Sequence, residues 1–291
     1  METAWVASRD GRIHLTMMPA RDPSGTVVFV PGITSNAEVY RSTIPGGDLL
    51  SALARESLNV VALDLQGHGR SEGRRGHVPF RSALANIGDA VGWAAQRFGA
   101  PIGLIGSSLG GILALYAAIE DTRVASVLCH NAADLRDVAT LRRRLRQRVV
   151  IGLGETIRAV AERAPHMPMP VRALISPADL CEDPENVRRW RRRPDTVWWY
   201  SAASVASIFF TPEDKPAIEA LDKPLLLATG DEDGIFAVGP QRDIVERVEG
   251  PAELWVLQGA GHGLPLEHLP AFAPRAGEWF RTTLSFYGPP S

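Results

Sequence analysis

Cysteine is nearly absent: two thiols, Cys129 and Cys181, stand among 291 residues. Neither lies in metal-ligand spacing or in a disulfide framework, so both read as reduced thiols. Long apolar runs are missing too, and no segment reaches the eighteen or more residues of a membrane span. The first twenty residues, METAWVASRDGRIHLTMMPA, carry Glu2, Arg9, Asp10 and Arg12 and lack the unbroken apolar stretch of a signal peptide. A cytoplasmic chain without stable membrane insertion is the expectation. Charge of one sign does not dominate, since 31 Lys and Arg oppose 33 Asp and Glu for a net charge of −2. A nucleic acid partner is therefore not indicated. Repeats and low-complexity tracts are lacking as well. What remains is 45% hydrophobic and 22% charged, the balance of an ordinary globular protein with a large core.

Apolar, β-branched or leucine-rich runs bounded by Gly or Pro recur along the chain: TVVFV (26–30), NVVAL (59–63), PIGLIG (101–106), VASVLC (124–129), PLLLAT (224–229) and ELWVL (253–257). Such runs read as strands buried on both faces, and helix-length stretches separate most of them. The first segment instead alternates around Asp10-Gly11, the dipeptide of a tight hairpin. The pattern predicts an α/β fold, a mostly parallel, doubly wound sheet with helices on both faces. The alternation stops after about residue 133 and resumes near 222. Between them, LRRRLRQRVV, APHMPMPV and RRWRRRPDTVWWY read as helices and loops and not as sheet. The predicted division is a core of residues 1–133 and 222–291, with 134–221 inserted as a mainly helical cap.

In LIGSSLGGIL, Gly106 and Gly110 frame Ser108 as G-x-S-x-G, which suits a sharp strand-to-helix turn that lifts the central hydroxyl above the sheet. Centring on Ser107 would place Ile105 and Leu109 where small residues are required, so Ser108 is the candidate nucleophile and Ser107 a small residue in a tight turn. A serine hydroxyl needs a base, normally a histidine oriented by a carboxylate. His262, in the glycine-rich QGAGHG after ELWVL, can reach the carboxyl edge of the sheet, whereas His268 begins a helical pattern and reads as a surface residue. The acid should follow PLLLAT, where GDEDG leaves Asp231 and Asp233 both open. An oxyanion hole needs backbone N–H donors, and Leu109, after the nucleophile, and Ile33, beside Gly32 in PGITSNAEVY, are placed to supply them.

These segments resemble the α/β-hydrolase superfamily. Within it they are similar to the monoglyceride lipase and lysophospholipase-like branch, which also contains serine aminopeptidase-type sequences. The resemblance rests on GSSLG, on ALDLQGHGRSEG (62–73), similar to D-x-x-G-H-G-x-S-E-G, on PGITSNAEVY, similar to an HG-plus-seven-plus-Tyr loop, and on GDEDG and GAGH near the end. DPENVRRWRRRPDTV also looks like that branch's cap segment. The resemblance lays the family aspartate on Asp233, with Phe236 where a small apolar residue usually stands. Two departures are visible: Pro31 replaces the histidine of the His-Gly pair, and Gln66 stands where many relatives carry arginine. His68 is read as shaping the loop beside the site and not as a catalytic group.

Between 134 and 193, fourteen arginines face eight acidic residues. Leu141, Leu145 and Val149 recur every four residues in LRRRLRQRVV, which puts the arginines on the outer face of an amphipathic helix. A solvated face is the favoured reading, with peripheral contact to an anionic surface second. Of Trp190, Trp198, Trp199, Tyr200, Phe209 and Phe210, some should pack the cap onto the core and others line an apolar pocket above Ser108. Met167 and Met169 read equally as pocket lining or loop anchors.

Residues and resemblance together imply a serine carboxylic-ester hydrolase of the lipase or esterase type, acting through an acyl-enzyme on a small hydrophobic acyl ester such as a monoacylglycerol or lysophospholipid. No metal or organic cofactor is required. The alternatives are another acyl-group hydrolase or acyltransferase, acting on an amide or thioester, and a non-catalytic member that binds a small ligand.

Overall fold

The computed structural model describes residues 1–137 and 145–285. Its strands are β1 (Glu2–Ser8), β2 (Gly11–Met18), β3 (Gly25–Val30), β4 (Leu58–Asp64), β5 (Ile102–Ser107), β6 (Val124–His130), β7 (Pro168–Pro170), β8 (Trp199–Ser201), β9 (Leu225–Gly230) and β10 (Ala252–Leu257). Eight of them form one sheet in the order β1-β2-β4-β3-β5-β6-β9-β10. β2 is antiparallel to both its neighbours, and every other pairing is parallel. Each apolar run read as a strand is one. Every residue of β4 and of β6 is buried, as expected of strands covered on both faces.

The opening hairpin differs in one detail. Ser8 pairs with Gly11, so the two-residue connection is Arg9-Asp10. Gly11 opens β2 at φ +138°, a conformation that L side chains rarely adopt.

Helices cover both faces. Phe80–Phe98 and Leu109–Glu120 pack against each other on one side, while Leu49–Arg55 and Leu269–Ser285 pack together on the other. Phe80, Ala83, Leu84, Ile87, Ala90, Val91 and Ala94 supply the buried stripe of the first of these, a repeat of three and four residues. Because the central strands run parallel, their carboxyl ends share one edge. The loops that follow β3, β5, β6, β9 and β10 therefore converge there.

Between β6 and β9 lie the helices Leu145–Gly152, Gly154–Arg163, Pro184–Arg192 and Ala202–Phe209. This stretch is not free of sheet, as its sequence suggested. β7 and β8 pair antiparallel as a three-residue ribbon in which Pro168 faces Ser201 and Pro170 faces Trp199. Proline is tolerated there because each strand is an edge, and the aromatic WWY step suits extended backbone.

The arginine-rich helix also departs from expectation. Val149, assigned to its apolar face, is 54% exposed, while Val150 and Ile151 pack against the core. Leu141 and Arg142 to Arg144 lie outside the described residues. In Pro184–Arg192, Arg188, Arg189, Arg191 and Arg192 are exposed and Trp190 is buried. Pro184 occupies the first turn and Asp183 caps it, accepting from the Glu185 N–H at 2.8 Å.

Candidate active site

Ser108 stands between β5 and the helix Leu109–Glu120 with φ 57° and ψ −120°. A non-glycine residue held there is strained by about 1–3 kcal/mol, and the surroundings must over-determine it. Its N–H donates to the His130 carbonyl at 2.7 Å. A Cβ on Gly106 would lie 2.1 Å from the Gly110 carbonyl oxygen, and one on Gly110 would lie 2.1 Å from the Val30 oxygen and 2.4 Å from the Pro31 oxygen. The glycine frame thus lets the start of the helix press against β5 and the end of β3. Ser107 does more than fill a turn: its hydroxyl is 3.0 Å from His130 Nδ1.

The loop after β9 carries Asp233, which is fully buried. One carboxylate oxygen accepts from the Ile235 and Phe236 N–H groups at 2.7 and 2.9 Å. The other lies 2.8 Å from His262 Nδ1 and 2.9 Å from Asn131 Nδ2. Burial alone pushes a carboxyl up, yet the His262 charge and hydrogen bond, the Phe236 N–H and His130 together hold Asp233 well below the usual carboxylate range. Asp231, the other acid left open by spacing, instead accepts from the Gly259 N–H at 2.7 Å at an exposed turn. His262 stacks on Phe236 with ring centroids 5.7 Å apart and planes at 12°. Ser108 and His262, 8% and 7% exposed, line one small cavity with Gly32, Ile33 and Tyr40, without a direct hydrogen bond between them. His268 is not a plain surface residue. It is half-buried and sits 2.7 Å from Glu182 of the intervening segment.

The loop after β3 is clasped from two sides. From the core, the Tyr40 hydroxyl accepts from the Gly32 N–H at 3.3 Å and Asp64 accepts from the Ala37 N–H at 2.9 Å. From the segment between β6 and β9 come three contacts to Thr34, itself left-handed at φ 69°. Trp190 Nε1 donates to its hydroxyl at 3.2 Å, the Val197 N–H donates to its carbonyl at 2.9 Å, and its own N–H donates to the Tyr200 hydroxyl at 3.3 Å. Tyr200 completes the link to His68, whose Nε2 is 2.6 Å away and whose Nδ1 is 3.0 Å from the Gln66 carbonyl. The carbonyl can only accept, so the His68 proton sits on Nδ1 and Tyr200 donates to Nε2. Burial holds His68 down to about 4, hence neutral. Gln66, the departure noted above, exchanges hydrogen bonds with Asn86 of the helix Phe80–Phe98, at 2.9 and 3.0 Å.

An apolar cavity of about 70 Å³ opens onto Ser108, lined by Ile112, Ile151, Leu174, Phe209, Phe210 and Phe236 among others. Trp190 and Tyr200 are buried as packing residues, whereas Trp199 is 56% exposed and lines a separate outer hollow with Trp198. Met169 borders a second apolar cavity that shares Ile33 and Leu109, and Met167 is exposed.

Sequence reasoning missed His130, Asn131 and Thr34 as members of the site, and named Tyr200 only among the aromatics that pack the cap or line the pocket. The signal for the first two was present: polar residues directly after the buried run VASVLC, on the strand next to β5. Burial and then the neighbouring His262 keep His130 neutral, down to about 3. Among the described residues, His130, Asp233 and His262 alone bring three metal-donor atoms within 4.8 Å. The Asn131 amide nitrogen already lies within 3.5 Å of all three, and its N–H groups take the place a cation would need. No helix among the described residues is long and apolar enough to cross a membrane.

Comparison with known proteins agrees with this architecture. The family described as serine aminopeptidase, S33, matches residues 21–268. A monoacylglycerol lipase of Mycolicibacterium smegmatis is 29% identical over 236 residues, covering 79% of this chain and 78% of that protein. Among solved structures, a monoacylglycerol lipase of Paleococcus ferrophilus superposes with a TM-score of 0.75 at 22% identity, over 93% of this chain and 99% of that one. A soluble variant of the Saccharomyces cerevisiae monoglyceride lipase, in complex with a substrate analogue, gives 0.78 at 13% identity, over 97% and 95%. The sheet order, the flanking helices and these superpositions are those of the α/β-hydrolase fold, and the chain belongs to its serine aminopeptidase, S33, family of hydrolases.

Proposed function

We propose that this protein is a serine carboxylic-ester hydrolase that cleaves small esters of a hydrophobic acyl group. Ser108 attacks the ester carbonyl. His262 takes its proton and returns it to the leaving alkoxide, while Asp233 holds the imidazole with Nδ1–H toward the carboxylate. Water, activated by the same imidazole, then releases the acid. The Ile33 and Leu109 N–H groups have no protein acceptor among the described residues and are free to hold the oxyanion. Residues 134–221 act as the cap whose Leu174, Phe209 and Phe210 close the acyl pocket.

The observation that carries this reading is an apolar cavity running directly to Ser108. A peptidase that grips a free α-amine needs a carboxylate in its pocket, and none of the described residues that line these two Ser108 cavities is acidic. The monoacylglycerol lipase relative points to the same substrate class.

The test is fluorophosphonate labelling together with turnover of p-nitrophenyl esters of graded acyl length. Wild type should label and hydrolyse, and Ser108→Ala should do neither. His262→Ala should lose at least about 1,000-fold in kcat. Equal labelling of wild type and Ser108→Ala overturns the nucleophile assignment, and negligible turnover of every ester beside rapid cleavage of an amide or thioester moves the protein to that acyl class.

A further inference from the structure

His130 ends β6 and Asn131 follows it, both buried against Asp233 and His262, yet neither is the nucleophile, the base, the acid or an oxyanion donor. The Asn131 backbone is left-handed at φ 60°, a conformation Asn tolerates better than most residues, and its N–H donates to the Ala228 carbonyl at 3.0 Å. Its side-chain oxygen accepts from the Thr229 hydroxyl at 2.7 Å. The NH₂ therefore faces Asp233, as it must, because an ionised carboxylate has no proton to give. One of its hydrogens goes to the Asp233 oxygen at 2.9 Å and the other to His130 Nε2 at 3.1 Å. His130, accepting at Nε2, carries its proton on Nδ1 and gives it to the Ser107 hydroxyl. Thr229, His130 and Ser107 thus pin the amide in one orientation.

We propose that Asn131 is a positioning residue of the hydrolytic site: by donating to the Asp233 oxygen that also accepts from His262, it aligns the carboxylate and weakens the carboxylate's hold on a proton at the imidazole. The proposal rests on the triad reading given above. A donor on that oxygen takes up part of its negative charge, so less is available to stabilise an imidazolium. The other titratable groups around the pair are His130 from β6, Asp231 and Glu232 flanking Asp233, and Tyr40 across the cavity. Glu182 is bonded to the Gly261 N–H and His268, and Glu267 to the Glu182 and Asp183 N–H groups. Among these groups the Asn131 amide alone donates to the shared oxygen besides His262.

The test is the pH profile of kcat/KM on a p-nitrophenyl ester from about pH 5 to about pH 9, where the acid limb reports the free enzyme. Asn131→Gly removes the amide without straining the left-handed backbone. Thr229→Val keeps Asn131 and removes the hydroxyl that orients it. Each should move the acid limb to higher pH by about half a unit or more. A purely structural role would lower kcat/KM equally at all pH values and leave the limb where it is. If Asn131→Gly does not fold, Thr229→Val decides. Unmoved limbs in folded variants, with Ser108→Ala and His262→Ala inactive, overturn this inference alone, whereas an active His262→Ala overturns the triad reading beneath it.

Discussion

Tyr200→Phe removes one oxygen atom, 3% exposed with its residue, that joins two clasps of the site. The hydroxyl donates to His68 Nε2 at 2.6 Å and accepts from the Thr34 N–H at 3.3 Å. Without it, a buried imidazole nitrogen and a buried amide lose their partners. An orphaned buried polar group costs about 1–3 kcal/mol. The Thr34 bond is long and belongs near the bottom of that range, so the sum is about 2–4 kcal/mol. That corresponds to a fall in Tm of roughly 3–7 °C for a chain of this size. Losing a whole oxyanion donor lowers kcat by about 100- to 1,000-fold. Here the proposed Ile33 donor would only be loosened through its neighbour Thr34, so a fall in kcat of about tenfold with little change in KM is expected. Urea denaturation and steady-state ester hydrolysis measure the two effects. Tyr116→Phe is the matched control, since its hydroxyl is also buried, accepts from the Leu135 N–H at 2.8 Å and donates to Asp134 at 3.3 Å, outside the loop that carries Ile33. It should lose comparable stability and keep kcat. Wild-type stability and kcat in Tyr200→Phe, or an equal fall of kcat in Tyr116→Phe, would refute the link between Tyr200 and the oxyanion loop.

Two further outcomes follow from the same geometry. Gly106→Ala places a Cβ 2.1 Å from a backbone oxygen, where no flexible side chain can give way, so it should lose about 3 kcal/mol or more and most activity; a wild-type urea midpoint with full turnover would contradict the close approach. Stability should also rise with pH between about 4 and about 6.5, because unfolded histidines bind protons below about 6.5 while folded His68 does so only below about 4 and His130 below about 3. That stability is complete above about pH 6.5 and is lost as pH falls, with about 2 kcal/mol lost from His68 alone at about pH 5, so an unfolding free energy flat across this window would show that neither imidazole is held neutral.

The sheet was legible because parallel strands buried on both faces read as continuous apolar runs, and six such runs are the six parallel strands β3, β4, β5, β6, β9 and β10. The serine turn was legible because its glycines answer a local steric need, now visible as Cβ positions 2.1 Å from backbone oxygens. The intervening segment was read less well. Val149 lies exposed, and the β7–β8 ribbon went unseen, since three-residue strands are formed by a partner and not by a run.

Local patterning therefore determined the strands, the turn and the order of serine, acid and histidine along the chain. Spacing left two carboxylates open for His262 and only the family resemblance chose Asp233, whereas how Asn131 and His130 close around that pair, and how Tyr200 reaches from the segment after β6 to Thr34 and His68, were decided by tertiary structure alone. These are hydrogen bonds between residues 29 to 166 positions apart, whose distance and direction arise only when strands, helices and loops pack together.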